Sequence, residues 1–377
     1  MKVLVGLSGG VDSAVAAHLL KEQGHDVTCA FMRNWDSFAN NDILGNPTIM
    51  DDMCSQEVDY ADAMAVAKHL GLPLLRVDYV KEYWDNVFSF FLEETQRGNT
   101  PNPDILCNRY VKFDSFYDFM DKNGFDALAT GHYAITKDGK MYRAVDQTKD
   151  QTYFLSRVRP DVLPRVMFPL GGLTKHEVRD IAATLDLPVA KKKDSTGICF
   201  IGERDYRDFL KNYVKDSEGD IIDIDSGKVV GRHQGVMYYT VGQRHGLNIS
   251  NHVGPFFVVG KDLSTKRIYV GRGSNHRLLF ASAAEISEMN WFTDKPKESI
   301  ECTAKFRYRQ KDLKVSINWV SEDRLHVTML EEVKSVTLGQ EAVFYLGEEV
   351  LGGGRIDRVF NIDGEEVFYD SKRSGKQ

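Results

Sequence analysis

The chain has 377 residues, 42% hydrophobic and 27% charged, which is enough apolar material for a sizeable core and, at about 150 residues per domain, gives an expectation of two or three domains. With 10 Pro and 31 Gly the composition is neither collagen-like nor disordered, and no apolar run nears the roughly 18 residues a bilayer requires, so no membrane partner is expected. The balance of charge, 48 − 55 = −7, excludes a generic nucleic-acid coat; residues 226–330, however, hold 16 Lys/Arg against 9 Asp/Glu, a local +7 that leaves −14 for the rest. An acidic body with a basic segment suits a selective polyanion partner, although chance scatter over a solvated surface gives the same count.

KVLVGL (2–7) is a continuous apolar run, as expected of a strand buried on both faces. It is shorter than a secretory leader and ends in a Gly pair, so the chain reads as soluble and cytoplasmic. The stretch VDSAVAAHLLKEQG then places Val11, Val15, Ala16 and Leu19 at helical spacing and stops at Gly24. DVTCAFM, LLRVDY and ALATGHY repeat the strand signature, and SQEVDYADAMAVAKHLG and KEYWDNVFSFFLEETQRG read as helices between them, the alternation of a parallel sheet covered by helices. Residues 35–54 have no period, and a loop that long is more often a lid than filler. A second irregular stretch, RGNTPNPDILCNR (97–109), precedes RYVKFDSFYDFM, which reads as a helix.

After about residue 215 the pattern changes. DIIDIDSGKVVGRHQG, FFVVGKDLSTKRIYVGR, IECTAKFRYRQ and LKVSINWVSEDRLHVTML alternate apolar with polar residues and break at turn signals, which predicts two small all-β modules divided near 280. In KFRYRQ (305–310) strand alternation puts Lys305, Arg307 and Arg309 on one face and Phe306 and Tyr308 on the other, a cationic face suited to RNA. The tail SKRSGKQ reads as frayed.

SGGVDS (8–13) stands between the first strand and the first helix. Amides at a helix N-terminus bind anions, and glycines let that backbone approach phosphate oxygens; Ser8 and Ser13 add hydroxyls, and Asp12 is the candidate for Mg²⁺. No Gly-Lys-Ser/Thr follows, so this is not a Walker A loop. An ordinary Gly turn with a capping Asp or Ser is the plain alternative.

Five cysteines, at 29, 54, 107, 199 and 302, contain no C-x-x-C pair and fit neither a disulfide scaffold nor a zinc site. Cys29 and Cys302 lie in apolar or alternating strands and read as inert. Cys107, placed just ahead of a helix, is expected to feel its dipole, and Cys199 follows Lys191, Lys192 and Lys193, cations that lower a thiol pKa if they fold close.

SGGVDS resembles the pyrophosphate loop of the ATP pyrophosphatases, which activate an oxygen with AMP. PNPDILCN, GHYA, KDQTYFL, DSTGICFIG and FRYRQ, in this order, closely resemble the tRNA 2-thiouridylases, the MnmA/TrmU family, over nearly the whole chain. NRYVKF after Cys107, where something nearer NKEIKF is expected, and a longer loop at NWDSFANNDILGNP depart from that pattern. The resemblance implies an α/β fold: a parallel-sheet adenine-nucleotide α-hydrolase-like (PP-loop) ATP-binding catalytic domain over 1–214, then two small β-rich domains, a tRNA-contacting one over 215–279 and a β-barrel over 280–377.

It also implies ATP-dependent 2-thiolation of the wobble uridine in tRNA for Lys, Glu and Gln. Gly6, Leu7, Ser8, Gly9, Gly10, Val11, Asp12 and Ser13 would hold the phosphates, with Met32 and Gly131 on the adenosine side. Cys199 would carry a persulfide and Cys107 would be the nucleophile, the pair closing a transient disulfide; Asp104 is a candidate base, with capping of the turn after Pro103 as the alternative. Asn102, Pro103 and Asp104 would meet the target base, and His132, Lys149, Asp150, Gln151, Arg307, Tyr308 and Gln340 the tRNA. A cysteine desulfurase or sulfur carrier protein would supply sulfur. A metabolite-directed ATP pyrophosphatase and a non-catalytic RNA-binding module are the competing readings, disfavoured by the basic 226–330 segment and by the intact loop with both cysteine contexts.

Overall fold

The computed structural model describes residues 1–44, 46, 55–194, 205–215, 217–249 and 254–367. Cys54, Cys199 and the tail SKRSGKQ, with most of DSTGICFIG, lie outside the described residues.

The first unit is built on five parallel strands in the order β3-β2-β1-β4-β7: β1 (Lys2–Gly6), β2 (Asp26–Arg33), β3 (Leu74–Asp78), β4 (Ala127–Thr130) and, after a hairpin of β5 (Ile135–Lys137) and β6 (Lys140–Tyr142), β7 (Val166–Met167). β1 is central, with Val3 opposite both Val27 and Ala127. Its Val3, Leu4 and Val5 are fully buried, which is why the sequence there is apolar without alternation. The helices Val11–Glu22 and Ser55–Leu70 flank the sheet where the sequence places them. On the other side, helical turns over 80–96 and 103–122 pack Phe88, Phe91, Val111, Phe113 and Phe116 into one core.

The helix read as starting after Cys107 starts earlier. Asn102 caps it, its side chain accepting from the Asp104 and Ile105 amides at 3.1 and 3.4 Å, and Pro103 takes the first helical position, where its missing N–H costs nothing. Cys107 therefore sits in the second turn, beyond the first turn in which the dipole acts. Asn102, and not Asp104, is the cap.

β8 (Gly219–Asp223), β9 (Val229–His233), β10 (Phe256–Asp262) and β11 (Arg267–Arg272) form a second sheet in the order β10-β11-β8-β9. β12 (Phe280–Trp291), β13 (Ile300–Lys305), β14 (Leu313–Ser321), β15 (Arg324–Lys334), β16 (Glu341–Leu346) and β17 (Glu349–Phe360) are antiparallel and close on themselves through β12–β17, a barrel around Phe306, Phe344, Ile317 and Leu325. The β5–β6 hairpin of the first unit extends this sheet, pairing Tyr142 with Glu349.

The expected cationic strand face at 305–310 is not formed. β13 stops at Lys305 because the Gln310 side chain accepts the Phe306 amide (2.8 Å) while the Gln310 amide donates to the Arg307 carbonyl (3.1 Å), closing a turn. Lys305 and Phe306 are buried, and Arg307 points inward to the Val241 carbonyl and Thr337 Oγ1 (3.3 and 2.8 Å). Arg309 is the exposed cation of the three.

Candidate active site

The SGGVDS loop leaves β1 and enters the helix Val11–Glu22 with Gly10 at the N-cap and no side-chain cap. Its serines turn onto the loop itself: Ser13 Oγ accepts the Ser8 amide and stands 3.1 Å from Ser8 Oγ. Three helices here are closed by side chains, Asn102 for Pro103–Cys107, Asp205 for Tyr206–Leu210 and a full Thr174–Glu177 capping box for Lys175–Thr184, whereas Val80–Tyr83 and Thr152–Leu155, like the loop helix, are not. An uncapped first turn keeps donors for a ligand, the geometry of an anion site.

Two glycines make the approach possible. Gly9 adopts φ +76°, and a Cβ there would strike the Asp59 carbonyl oxygen. Gly131, just past β4, lies against the start of the helix so closely that a Cβ would stand 2.7 Å from Ser13 N and 2.8 Å from Asp12 C. Gly131→Ala is therefore expected to force backbone from backbone and cost about 1–3 kcal/mol of stability, read from the denaturant midpoint; a wild-type midpoint would show that the two segments part freely. Met32 and Phe116 both close on Gly6, each 3.4 Å from its Cβ position, so the predicted Met32 and Gly131 meet the loop from two sides.

Charge around the loop is supplied by Lys175, which the sequence did not single out, and by Lys192, which it set beside Cys199 instead. Lys175 Nζ bonds both Asp12 oxygens (2.7 and 2.9 Å) and also Asp194 (2.8 Å), while Tyr133 Oη donates to Asp12 Oδ1 (2.9 Å). Lys192 Nζ bonds the Gly9 carbonyl (3.1 Å), Asp59 (2.8 Å) and Asp62 (2.6 Å). Burial pushes the Asp194 carboxyl up, but hydrogen bonds from Lys149 and Lys175 outweigh it and hold it well below the usual range. Burial likewise works against the Lys192 charge, and Asp59 and Asp62 more than restore it, so this cation of the KKK run is committed to the loop. The traces in the sequence were a lysine just after a capping threonine, L-T-K-H-E, and the KKKD tetrad.

The KDQ motif is engaged internally. Lys149 pairs with Asp194 (2.7 Å); Asp150, buried, accepts from the Ala144 amide and Thr152 Oγ1; Gln151 Oε1 accepts the Tyr133 amide (2.9 Å), bracing the tyrosine that holds Asp12. Burial raises the Asp150 carboxyl. His132 is also buried, 2.7 Å from Thr130 Oγ1, and burial reinforced by Lys112 holds it well below its ordinary value, hence neutral at pH 7.

Cys107 is fully buried on the same helical run that presses Phe116 against Gly6. Nine positions along the chain separate the two, across a run kinked at Phe113. Asn108 Nδ2 ties this run to the Phe154 carbonyl (2.9 Å), and Tyr308 packs on Phe154 with ring centroids 4.3 Å apart. Gln340 Nε2 donates to the Thr100 carbonyl, so the barrel touches the segment leading to Asn102. Cys29 and Cys302 are buried with their thiols pushed up to about 12 by desolvation, as inert core residues should be. The first part of the 35–54 loop is anchored rather than loose: Trp35 Nε1 donates to Asp42 (3.0 Å), and Tyr213 Oη to the Asn40 carbonyl (3.0 Å).

The parallel sheet with its uncapped Ser-Gly-Gly loop, followed by a small β module and a closed barrel, defines a nucleotide-binding enzyme of the PP-loop class. Residues 1–203 match the family described as the tRNA methyl transferase HUP domain, 207–272 the tRNA methyl transferase PRC-barrel domain, and 282–356 the aminomethyltransferase beta-barrel domain. Proteins named tRNA-specific 2-thiouridylase MnmA are similar end to end: that of Mesoplasma florum is 52% identical over 370 residues (95% of this chain, 99% of that one), that of Mycoplasmopsis pulmonis 50% over 360 (95% and 97%), and that of Staphylococcus carnosus 47% over 373 (97% and 98%). The chain belongs to the tRNA-specific 2-thiouridylase (MnmA) family. Among the described residues no helix is long and apolar enough to cross a membrane.

Proposed function

We propose that the protein is a tRNA-uridine 2-sulfurtransferase that 2-thiolates the wobble uridine of tRNA for Lys, Glu and Gln, consuming ATP. The observation that carries this is an uncapped SGGVDS helix start, packed on Gly131, in a chain about half identical over its full length to named tRNA-specific 2-thiouridylases.

In this reading the uridine O2 attacks the α-phosphorus of ATP held by residues 6–13, with Met32 and Gly131 at the adenosine, and pyrophosphate leaves. The terminal sulfur of a Cys199 persulfide then attacks C2 and AMP leaves, which makes an oxide-like oxygen a workable leaving group. The Cys107 thiolate attacks Sγ of Cys199; the S–S bond to the substrate sulfur breaks, 2-thiouridine departs, and a Cys107–Cys199 disulfide remains for an external thiol to reduce. A cysteine desulfurase or sulfur carrier protein recharges Cys199. Asp104 is the nearest carboxylate for proton transfer.

Lys175, standing on Asp12, supplies beside the loop the positive charge that the hexapeptide lacks. Among the described residues no cluster of three His, Cys, Asp or Glu is arranged for a metal. A single carboxylate, Asp12, fits a Mg²⁺ that arrives on the phosphates and neutralises them, provided Lys175 yields its place. Asn102, Pro103 and Asp104 receive the base. Lys149, Arg307, Tyr308 and Gln340 serve the RNA, with Asp150, Gln151 and His132 acting from beneath. The working units are 1–214, 215–279 and 280–377.

The test is nucleoside mass spectrometry of unmodified tRNA incubated with the protein, ATP, Mg²⁺ and a sulfur source, a cysteine desulfurase with cysteine. ATP-dependent 2-thiouridine is expected. If neither 2-thiouridine nor tRNA-dependent AMP forms, the reading fails and a metabolite becomes the acceptor to seek.

A further inference from the structure

Residues 98–100, a short way ahead of the Cys107 helix, are held by both β-rich units at once. Gly98 N–H donates to the Thr95 carbonyl (3.0 Å) and Asn99 N–H to that of Glu94 (2.9 Å), which end the preceding helix. Thr100 N–H donates to the Leu338 carbonyl of the barrel (2.9 Å), and the Thr100 carbonyl accepts from Gln340. From the central module, Lys261 Nζ on β10 donates to the Gly98 carbonyl at 2.8 Å.

The fit at this point is close. Gly98 is in the left-handed region (φ +81°), and a Cβ on it would stand 3.3 Å from Leu263 Cδ1, two residues beyond Lys261. On the other flank, a Cβ on Gly339 would stand 2.9 Å from Asn99 Cβ. Pro101 is buried, Asn102 caps the helix and Pro103 begins it, so few loose joints remain between residue 98 and Cys107.

Lys261 is an unusual residue for this task. Among the described residues no carboxylate pairs with it, and burial brings its ammonium down to about 8. Holding a partly buried cation on one carbonyl is poor economy if stability alone is served, because desolvation opposes it and a neutral contact would hold the sheet as well.

We propose that Lys261 is a positioning residue for the thiolation reaction: it fixes the Gly98 carbonyl, and through the 98–103 segment it sets where the Cys107 helix, and hence its thiol, stands relative to the nucleotide loop. The central module thereby acts on the chemistry without touching substrate. This rests on the reading of Cys107 given above.

The test compares wild type with Lys261→Met, which keeps the stem and removes the ammonium, and with Gly98→Ala, whose Cβ presses on Leu263 beside the same contact. Hydrogen exchange over residues 98–107 is expected to rise about tenfold in both, while the β10–β11 hairpin exchanges as before. Thiolation kcat is expected to fall about tenfold in both, with KM for ATP and tRNA affinity little changed, and with the melting temperature little changed in Lys261→Met. Wild-type exchange and kcat in both variants would overturn the proposal, as would a loss confined to tRNA affinity, which would make Lys261 a phosphate contact instead. Should wild type itself not thiolate, the functional reading falls, whereas the exchange comparison still decides whether the clamp exists.

Discussion

Replacing Cys107 by alanine is expected to lower thiolation by about a thousandfold or more while leaving tRNA affinity within about twofold. In the proposed reaction the thiol is the nucleophile that frees the substrate sulfur, and it lies in a core cluster with apolar side chains such as Ile105, Val111 and Phe113. The change removes one sulfur atom from a tightly packed site, which costs about 1–2 kcal/mol, small against the stability of a domain with this core. Single-turnover thiolation, tRNA binding by filter retention and a thermal melt separate these contributions. Full thiolation by the variant would remove Cys107 from the chemistry and leave it a core residue. A fall in activity that merely tracks lost binding or lost fold would do the same.

The second large effect is expected at Lys175. Lys175→Met removes an ammonium that touches both oxygens of Asp12 and one of Asp194. Asp194 keeps Lys149 and Arg179, at 2.7 and 2.5 Å, but among the described residues Asp12 keeps only Tyr133, beside the loop proposed to accept a triphosphate. Hydrogen bonds to charged groups contribute about 1.5–3 kcal/mol, so KM for ATP should rise about 10- to 150-fold. Calorimetric titration with a non-hydrolysable ATP analogue reads the effect directly. Unchanged ATP affinity in Lys175→Met would show that the ion pair only braces the fold.

Local sequence was sufficient wherever the determining interactions are local. β1 is legible because a strand buried on both faces must be apolar throughout, and the helix after it because its apolar residues repeat at helical spacing. SGGVDS is legible for the same reason: φ > 0 at Gly9 and free amides at the helix start are properties of six consecutive residues. The alternating strands of the C-terminal half announce two β modules, although not that the hairpin over 135–142 would join the barrel sheet.

Other features depended on what a residue meets from elsewhere in the chain. The Cys107 helix starts at Pro103 because the Asn102 side chain outcompetes the irregular pattern around two prolines, so the expected dipole at the thiol gave way to burial in a second turn. The alternation in KFRYRQ predicted a cationic face, yet Gln310 captures the backbone and turns Arg307 inward. Lys175 is 163 residues from Asp12, and Lys261 is 163 from Gly98. Sequence by itself determined most of the strands, the strand–loop–helix at SGGVDS and the family, since each is written in contiguous residues. Only the tertiary structure decided which lysines serve the loop and which module holds the cysteine helix, because an ion pair or a carbonyl contact across such separations has no period to read.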